Sequence, residues 1–397
     1  MIKRSKLIAV LIAGVLCVTA LTGCGSKKEK LTVWSHLTEA EIVEFQKIAN
    51  EWGKENKMEV KIVEDKGKVQ EMIQACNTSN GPDIILGMPH DNLGTFQKAG
   101  IVSEVPSGML DSTKYTSKSI MDAVVVKGKQ YGIPLAQETS TIFYNKDKVK
   151  EVPKTMEEIV TMGKDVGFEF DINNFYVDYS FISANGGYVY KEANGTIDPT
   201  DIGLKNEGAL AGYEFIRSLV QDHKLMAGDI TGDIAKADFS AGKTGFYISG
   251  PWDIDAFKKA GVNFGVTTMP TLNGKTMNSF LGVQVSIVNA KSKNTEKAWE
   301  LNKYLADKSS EIVYNNGNRI PVLKDALNNE VIKNDEHAKA FIEQAKNSVP
   351  MPNIPEVQAM WTPAGDNIKL MNAGQLDVKT CGENIVNQIK EGISQLK

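Results

Sequence analysis

An α/β protein built as two domains is what this sequence predicts, and three observations carry the prediction. At 397 residues the chain is too long for one hydrophobic core of ordinary size. From Leu31 onward it runs strand, helix, strand, helix, strand, the order of a parallel sheet covered by helices. After Ser140 the alternation resumes, so a second sheet follows the first. With 42% hydrophobic and 24% charged residues, the composition is that of a globular chain and not of a disordered one.

The stretch "LTVWS" at 31–35 reads as the first strand, and "TEAE" after it as a capping box, with Thr38 at the N-cap and Glu41 three positions on. Ile42, Phe45, Ile48, Ala49 and Trp52 then recur at helical spacing, which makes Trp52 a core residue. "MEVKIV" at 58–63 alternates as a second strand. A helix follows over Val69–Cys76, and "GPDIILG" supplies a buried parallel strand. Later strands are expected at 140–147 and 244–248 and in "VNFGVTTMP" and "SFLGVQVSIVN"; helices at 206–225, in "NTEKAWELNKYLAD" with Trp299 on its apolar face, and near 356–371 and 378–396. In "MPNIPEVQAMW" two prolines stiffen 351–355 into an extended lead-in before Trp361. A tryptophan that plugs a core does not need such an arrangement; one presented to a ligand can use it.

Lys3, Arg4 and Lys6 precede an apolar run of about fifteen residues, short for a membrane span and right for a signal peptide. "LTGC" ending at Cys24 resembles a bacterial lipobox, in which the cysteine is lipidated and becomes the first mature residue; the plainer alternative is a secretory signal with a chance cysteine. On the lipobox reading residues 1–23 are removed and 24–30 form a flexible polar leash. Removal takes three positive charges and no negative ones, leaving 42 basic against 49 acidic residues and a net charge of −7. No basic stripe with interleaved aromatics is present, so nucleic acid is not an expected partner. Cys76 and Cys381 remain, as one disulfide or, more simply, as two free thiols. The four histidines are scattered, and neither a metal nor another cofactor is expected.

Catalytic motifs fail on inspection. "AGKT" at 241–244 resembles the end of a phosphate loop, but Ala237 stands where that motif needs glycine, and a helix precedes where a strand should. Asp91 and Glu138 would serve as a glycosidase pair, yet among 49 acidic residues such pairs arise freely. What remains is a set of polar and aromatic residues at turns. His90, Asp91 and Asn92 follow a buried strand, where open α/β sheets hold ligands. Glu138 lies between two strand-like runs, Trp252 follows "SGP", and Trp361 follows the stiff lead-in. Each has a bland reading as a cap, a solvated charge or a core plug. Together they fit a sugar: an indole takes the C–H face of a pyranose, and carboxylates and amides take its hydroxyls.

At this point the chain resembles the maltose/maltodextrin-binding proteins, the extracellular solute-binding receptors of ATP-driven (ABC) sugar importers. "GPDII", "HD", "IFYNKD", "ANGGYVY", "FSAGKT", "SGPWDI", "NFGVTTMPTLNGK" and "MPNIP" with its tryptophan match in order from Leu31 to the C-terminus. The resemblance implies a two-lobed, class II periplasmic-binding-protein-like α/β fold. One lobe takes 31–136 plus about 285–335 and the other about 139–280 plus about 340–397, with hinge crossovers between them. It implies sugar contacts from Asp91 in the first lobe, Glu138 in the hinge and Tyr176 in the second, with Trp252 and Trp361 as stacking platforms. The family's best-known member differs where Asn92, Asn174, Thr362 and Gly365 stand, carrying arginine, glutamate, tyrosine and arginine. An aromatic residue is missing near Met88 and Pro89, and the loop "SHLTEAE" places His36 and Thr38 near expected contacts. Asn92, Asn174 and Thr38 therefore join the candidate ligand residues. The expectation is a monomeric, non-catalytic lipoprotein of the cell membrane. It would bind maltose, maltodextrin or a related oligosaccharide and deliver it to membrane permease subunits. The alternatives are the same fold serving another solute, such as a different oligosaccharide or a peptide, and a secreted carbohydrate-active enzyme.

Overall fold

Two β-sheets divide the protein. A computed structural model describes residues 29–65, 67–193 and 196–396; the signal peptide, Cys24 and most of the leash lie outside them. The larger sheet runs in the order Ile320–Pro321, Ile133–Thr139, Ser279–Val288, Ile84–Pro89, Lys30–Ser35, Glu59–Glu64, with Ser348–Pro350 also on Ser279–Val288. Its first three strands in sequence are parallel, as the early alternation predicts, while Ser279–Val288 runs antiparallel to Ile84–Pro89 and Ile133–Thr139 and parallel to Ser348–Pro350. All ten residues of that strand are buried, the polar Ser279, Gln284 and Ser286 among them. The smaller sheet holds Phe264–Thr267, Thr141–Asn145, Phe246–Ser249 and Phe168–Glu169.

Local chemistry sets the boundaries. Helix Glu39–Asn56 begins at the Thr38–Glu41 capping box and ends at Lys57, in the left-handed region at φ 57°. The apolar faces of the sheets make separate cores. One is centred on the smaller sheet and takes in Phe143, Phe246, Phe341 and, from the C-terminal helices, Ile368 and Ile389. The others lie on the two sides of the larger sheet; one includes Trp52 and Trp299, 5% and 3% exposed, and so core as expected. Cys76 and Cys381 are buried free thiols in different cores.

The chain passes between the sheets three times, at Thr139–Thr141, before Ser279 and at Ser348. Hydroxyls from all three passages meet. Thr139 Oγ1 lies 2.6 Å from Ser279 Oγ and 3.0 Å from Ser348 Oγ, and the two serine oxygens are 3.0 Å apart. Gln344 braces the cluster by donating from Nε2 to Ser279 Oγ at 3.0 Å.

Two predicted outlines change. The stretch carrying Glu138 is the last turn of a buried strand, Ile133–Thr139, and not a loop between strands. The helix expected from 356 is a 3-10 turn, Pro355–Ala359, followed by an α-helix, Trp361–Asn372, so Trp361 opens the helix proper.

Candidate functional site

The first lobe supplies carboxylates on a rigid frame. Strand Ile84–Pro89 ends in the 3-10 turn His90–Asn92, all three residues of which are buried. His90 pins the turn: its Nδ1 accepts from the Val283 N–H at 3.1 Å, and its Nε2 donates to Met351 O at 3.0 Å. Burial lowers the imidazole to about 4, so it is neutral and those roles are fixed. The same contact ties the turn to the proline-stiffened segment. Gly94 fits there because a Cβ would run into the Asn353 carbonyl and the Ile354 backbone. Asp91 is raised to about 7 by burial, an effect opposed by a hydrogen bond from the Trp361 side chain and by backbone N–H groups. Asn92 supports it: its amide donates to Asp91 Oδ1 and to Pro89 O, and its carbonyl accepts from Gln358 at 3.2 Å.

Glu138 projects from its strand opposite Gly282, where a Cβ would come within 3.1 Å of the Glu138 Cγ. Oε1 accepts from Gln284 Nε2 at 2.6 Å. Oε2 lies 3.0 Å from Arg319 Nε, an ion pair by distance whose angles are not those of a hydrogen bond, so both atoms stand without a hydrogen-bonding partner. Arg319 also reaches Glu41, with Nη1 3.0 Å from Oε2. Glu41 accepts in turn from the Thr38 N–H and hydroxyl, each at 2.8 Å. Burial raises Glu41, and the Arg319 charge opposes the rise.

The second lobe supplies aromatics. Asn174 caps helix Phe175–Ala184: its carbonyl accepts from the Tyr176 N–H at 3.1 Å and its amide donates to Asp171 Oδ2 at 3.4 Å. That cap sets Tyr176 in the first turn, with its ring 6.2 Å from Trp252 and 6.0 Å from Phe280. Trp361 meets Phe280 edge-on at 5.9 Å. Trp252, Tyr176, Phe280 and Trp361 thus form one continuous row. Trp252 is held by a short turn, Pro251–Asp253, whose Asp253 accepts from Ser249 at 2.6 Å and pairs with Lys236 at 2.6 Å. Gly250 has no side chain because a Cβ would lie inside the Trp252 ring. Trp252 and Thr38 line one cavity of about 580 Å³ with Val43 and Asn316.

The lobes meet at Tyr176. Its hydroxyl is buried without a hydrogen-bond partner; burial, with the charges of Glu138 and Asp91, holds the phenol well above its ordinary value, and the Arg319 charge opposes the rise. Asp91, Glu138, Tyr176, Trp252 and Trp361 are therefore brought together. Thr38 borders the group, while Asn92 and Asn174 stand behind it as supports. A second cavity of about 640 Å³, lined by Tyr188, Tyr190 and Met351, shares Phe280 with the row and His90 with the Asp91 turn and takes in none of the other candidates. The buried, unpartnered Tyr176 hydroxyl makes the aromatic row the candidate ligand site.

Arg319, Gln284 and Phe280 were not legible as site residues. Phe280 and Gln284 sit in a strand that reads only as core. Arg319 follows a helix end, where nothing local marks it. The one available signal is rarity, since the chain has three arginines against 42 lysines, and a planar, always-charged fork placed against such a preference is chosen for pairing.

Comparison with known proteins bears on this geometry. The family model for bacterial extracellular solute-binding proteins matches residues 47–340. The chain belongs to that family. It is a family of binding proteins, and this member is a binding protein and not an enzyme. Among relatives of the solute-binding protein is the galactooligosaccharide-binding protein of Bacillus subtilis (strain 168), 35% identical over 95% of each chain. A maltooligosaccharide ABC transporter solute-binding lipoprotein of Streptococcus pneumoniae (strain ATCC BAA-255 / R6) is 33% identical over 99% of this chain and 98% of its own. The fold matches the solved maltose-maltodextrin binding protein of Alicyclobacillus acidocaldarius with a TM-score of 0.88 and 37% identity, over 91% of this chain and all of the other. The maltotriose binding protein of Thermus thermophilus gives 0.84 and 29% over the same shares. The two-lobed periplasmic-binding-protein fold is thus the fold of this solute-binding protein.

Proposed function

We propose that this protein is the receptor of an ABC sugar importer, binding a malto-oligosaccharide or a related oligosaccharide between its lobes. The observation that carries the reading is the aromatic row Trp252–Tyr176–Phe280–Trp361 facing Asp91 and Glu138, with the Tyr176 hydroxyl left without a hydrogen-bond partner and Glu138 Oε2 held only by its ion pair with Arg319. A sugar hydroxyl both donates and accepts, so one group satisfies either atom, while the ring's C–H face covers an indole. Thr38, Asn92 and Asn174 complete the set, the last two chiefly as supports. The relatives' names favour oligosaccharides and divide between galacto- and malto- types, so the linkage is decided by experiment.

The rest of the reading follows the same lines. The lobes are 31–136 with about 285–335 and about 139–280 with about 340–397. Cys24 carries the lipid that holds the monomer at the cell membrane, and the closed form is what the permease meets. Ligand shifts the lobes toward closure because only the closed form makes both sets of contacts.

A thermal-shift panel of maltose, maltotriose, maltotetraose, galacto-oligosaccharides and a control peptide tests the reading. A true ligand at a hundredfold excess over its dissociation constant stabilises the fold by about 2.7 kcal/mol, an obvious shift. A shift with the peptide alone, or turnover of maltodextrin lost in Glu138→Gln, would sink the oligosaccharide-receptor reading.

A further inference from the structure

Arg319 is placed by backbone geometry that leaves it little freedom. Asn318, at φ 53°, ends helix Ser309–Gly317, and the next residues form a two-residue strand whose Ile320 pairs with Gln137. The guanidinium is 7% exposed and bridges two carboxylates, Glu41 on the first-lobe helix and Glu138 on the hinge strand. The packing is fitted to this bridge: a Cβ at Gly317 would collide with the Glu41 carboxylate and come within 2.8 Å of Arg319 Nη1. One cation between two anions leaves a net negative charge, and Glu138 is the member that faces Tyr176. Beside the bridge the Tyr176 hydroxyl is buried without a hydrogen-bond partner, and Glu138 Oε2 meets Arg319 Nε as an ion pair whose angles are not those of a hydrogen bond, so an acceptor is held in place next to an unsatisfied group.

We propose that Arg319 is the positioning residue of the binding site. It fixes the Glu138 carboxylate as the acceptor for a ligand hydroxyl and, through Glu41 and the Thr38 cap, couples it to the edge of the cleft beside Trp252. This inference rests on the oligosaccharide reading above. A lysine cannot replace the arginine fully, because a single ammonium does not span two carboxylates as the planar fork does. Leaving either carboxylate buried without its cation removes the force that orients it.

The test is calorimetric titration of the mature protein with maltotriose and, in parallel, with galactosyl-lactose. It compares wild type, Arg319→Lys, Arg319→Met, Glu138→Gln and the Arg319→Met/Glu138→Gln double variant, with the thermal midpoint of each. Arg319→Met is expected to weaken binding about 30-fold and Arg319→Lys about 5-fold, a partial rescue. The double variant is expected to bind no more weakly than Arg319→Met, because the arginine acts through Glu138. Should Arg319→Met fail to fold, Arg319→Lys and its double variant with Glu138→Gln give the same comparison. A wild type that binds while the arginine variants bind within twofold of it, or a double variant whose loss is the product of the single losses, overturns the inference alone. A wild type that takes neither sugar overturns the oligosaccharide reading, and this inference with it.

Discussion

Trp361 and Trp299 show how much one residue's surroundings decide. Both are tryptophans on helices, yet Trp299 is 3% exposed with its Nε1 donating to Ser103 at 3.1 Å, whereas Trp361 is half-buried, edge-on to Phe175 and Phe280, and bonded to Asp91. Trp361→Ala and Trp252→Ala are each expected to weaken sugar binding at least about tenfold, about 1.4 kcal/mol, with cooperative unfolding retained. Trp299→Ala is expected to cost about 3–5 kcal/mol of stability while the folded fraction binds normally; titration and urea unfolding of the same samples separate the two. Two buried groups give opposite pH signatures. His90 titrates lower in the folded state than in the unfolded chain, so the unfolded chain takes up its proton first as pH falls. The stability it supports is complete above about 6.5 and is lost toward about 4, and urea unfolding at pH 7 and 4.5 should show that loss in wild type but not in His90→Gln. Asp91, raised to about 7, contributes stability that is present below its unfolded value near 3.9 and lost as pH rises through 7. A sugar hydroxyl donating to it favours the ionised form, so affinity should rise between pH 6 and 8 in wild type and stay flat in Asp91→Asn, read by titration across that range.

At the level of elements, what the sequence showed was whatever a local rule governs. The Thr38–Glu41 box, the helix Val69–Cys76 and the extended stretch before Pro355 follow from capping, periodicity and proline sterics, and they appear where those rules put them. The turn positions of Asp91 and Trp252, and the place of Trp361 just after the stiff lead-in, were legible for the same reason. Partnerships were not. Glu138 looked like a connector because its strand is defined by pairing with Ser279–Val288, far along the chain, and Arg319 acquires meaning only once Glu41 and Glu138 converge from opposite ends of the first lobe. The extended segment also has a tertiary job that proline rules do not reveal. It carries Met351 to His90 and lies against Gly94, so the elements bearing Asp91 and Trp361 are fitted to each other. Gly94→Ala should force those elements apart, with a loss of about 1–3 kcal/mol in stability and a weaker sugar complex, measured by urea unfolding and titration.

For the whole molecule, two sheets with separate cores meet through three crossings that share one cluster of hydroxyls, Thr139, Ser279 and Ser348, braced by Gln344. Strands crossing side by side resist sliding and allow rotation about the line they share. On the proposed closure the cluster acts as an axle and not as a loose strap. A pair of dyes set across the mouth should then report two discrete separations exchanging with ligand, not a continuous spread. Loosening the bearing with Ser279→Ala should broaden both populations without moving either mean.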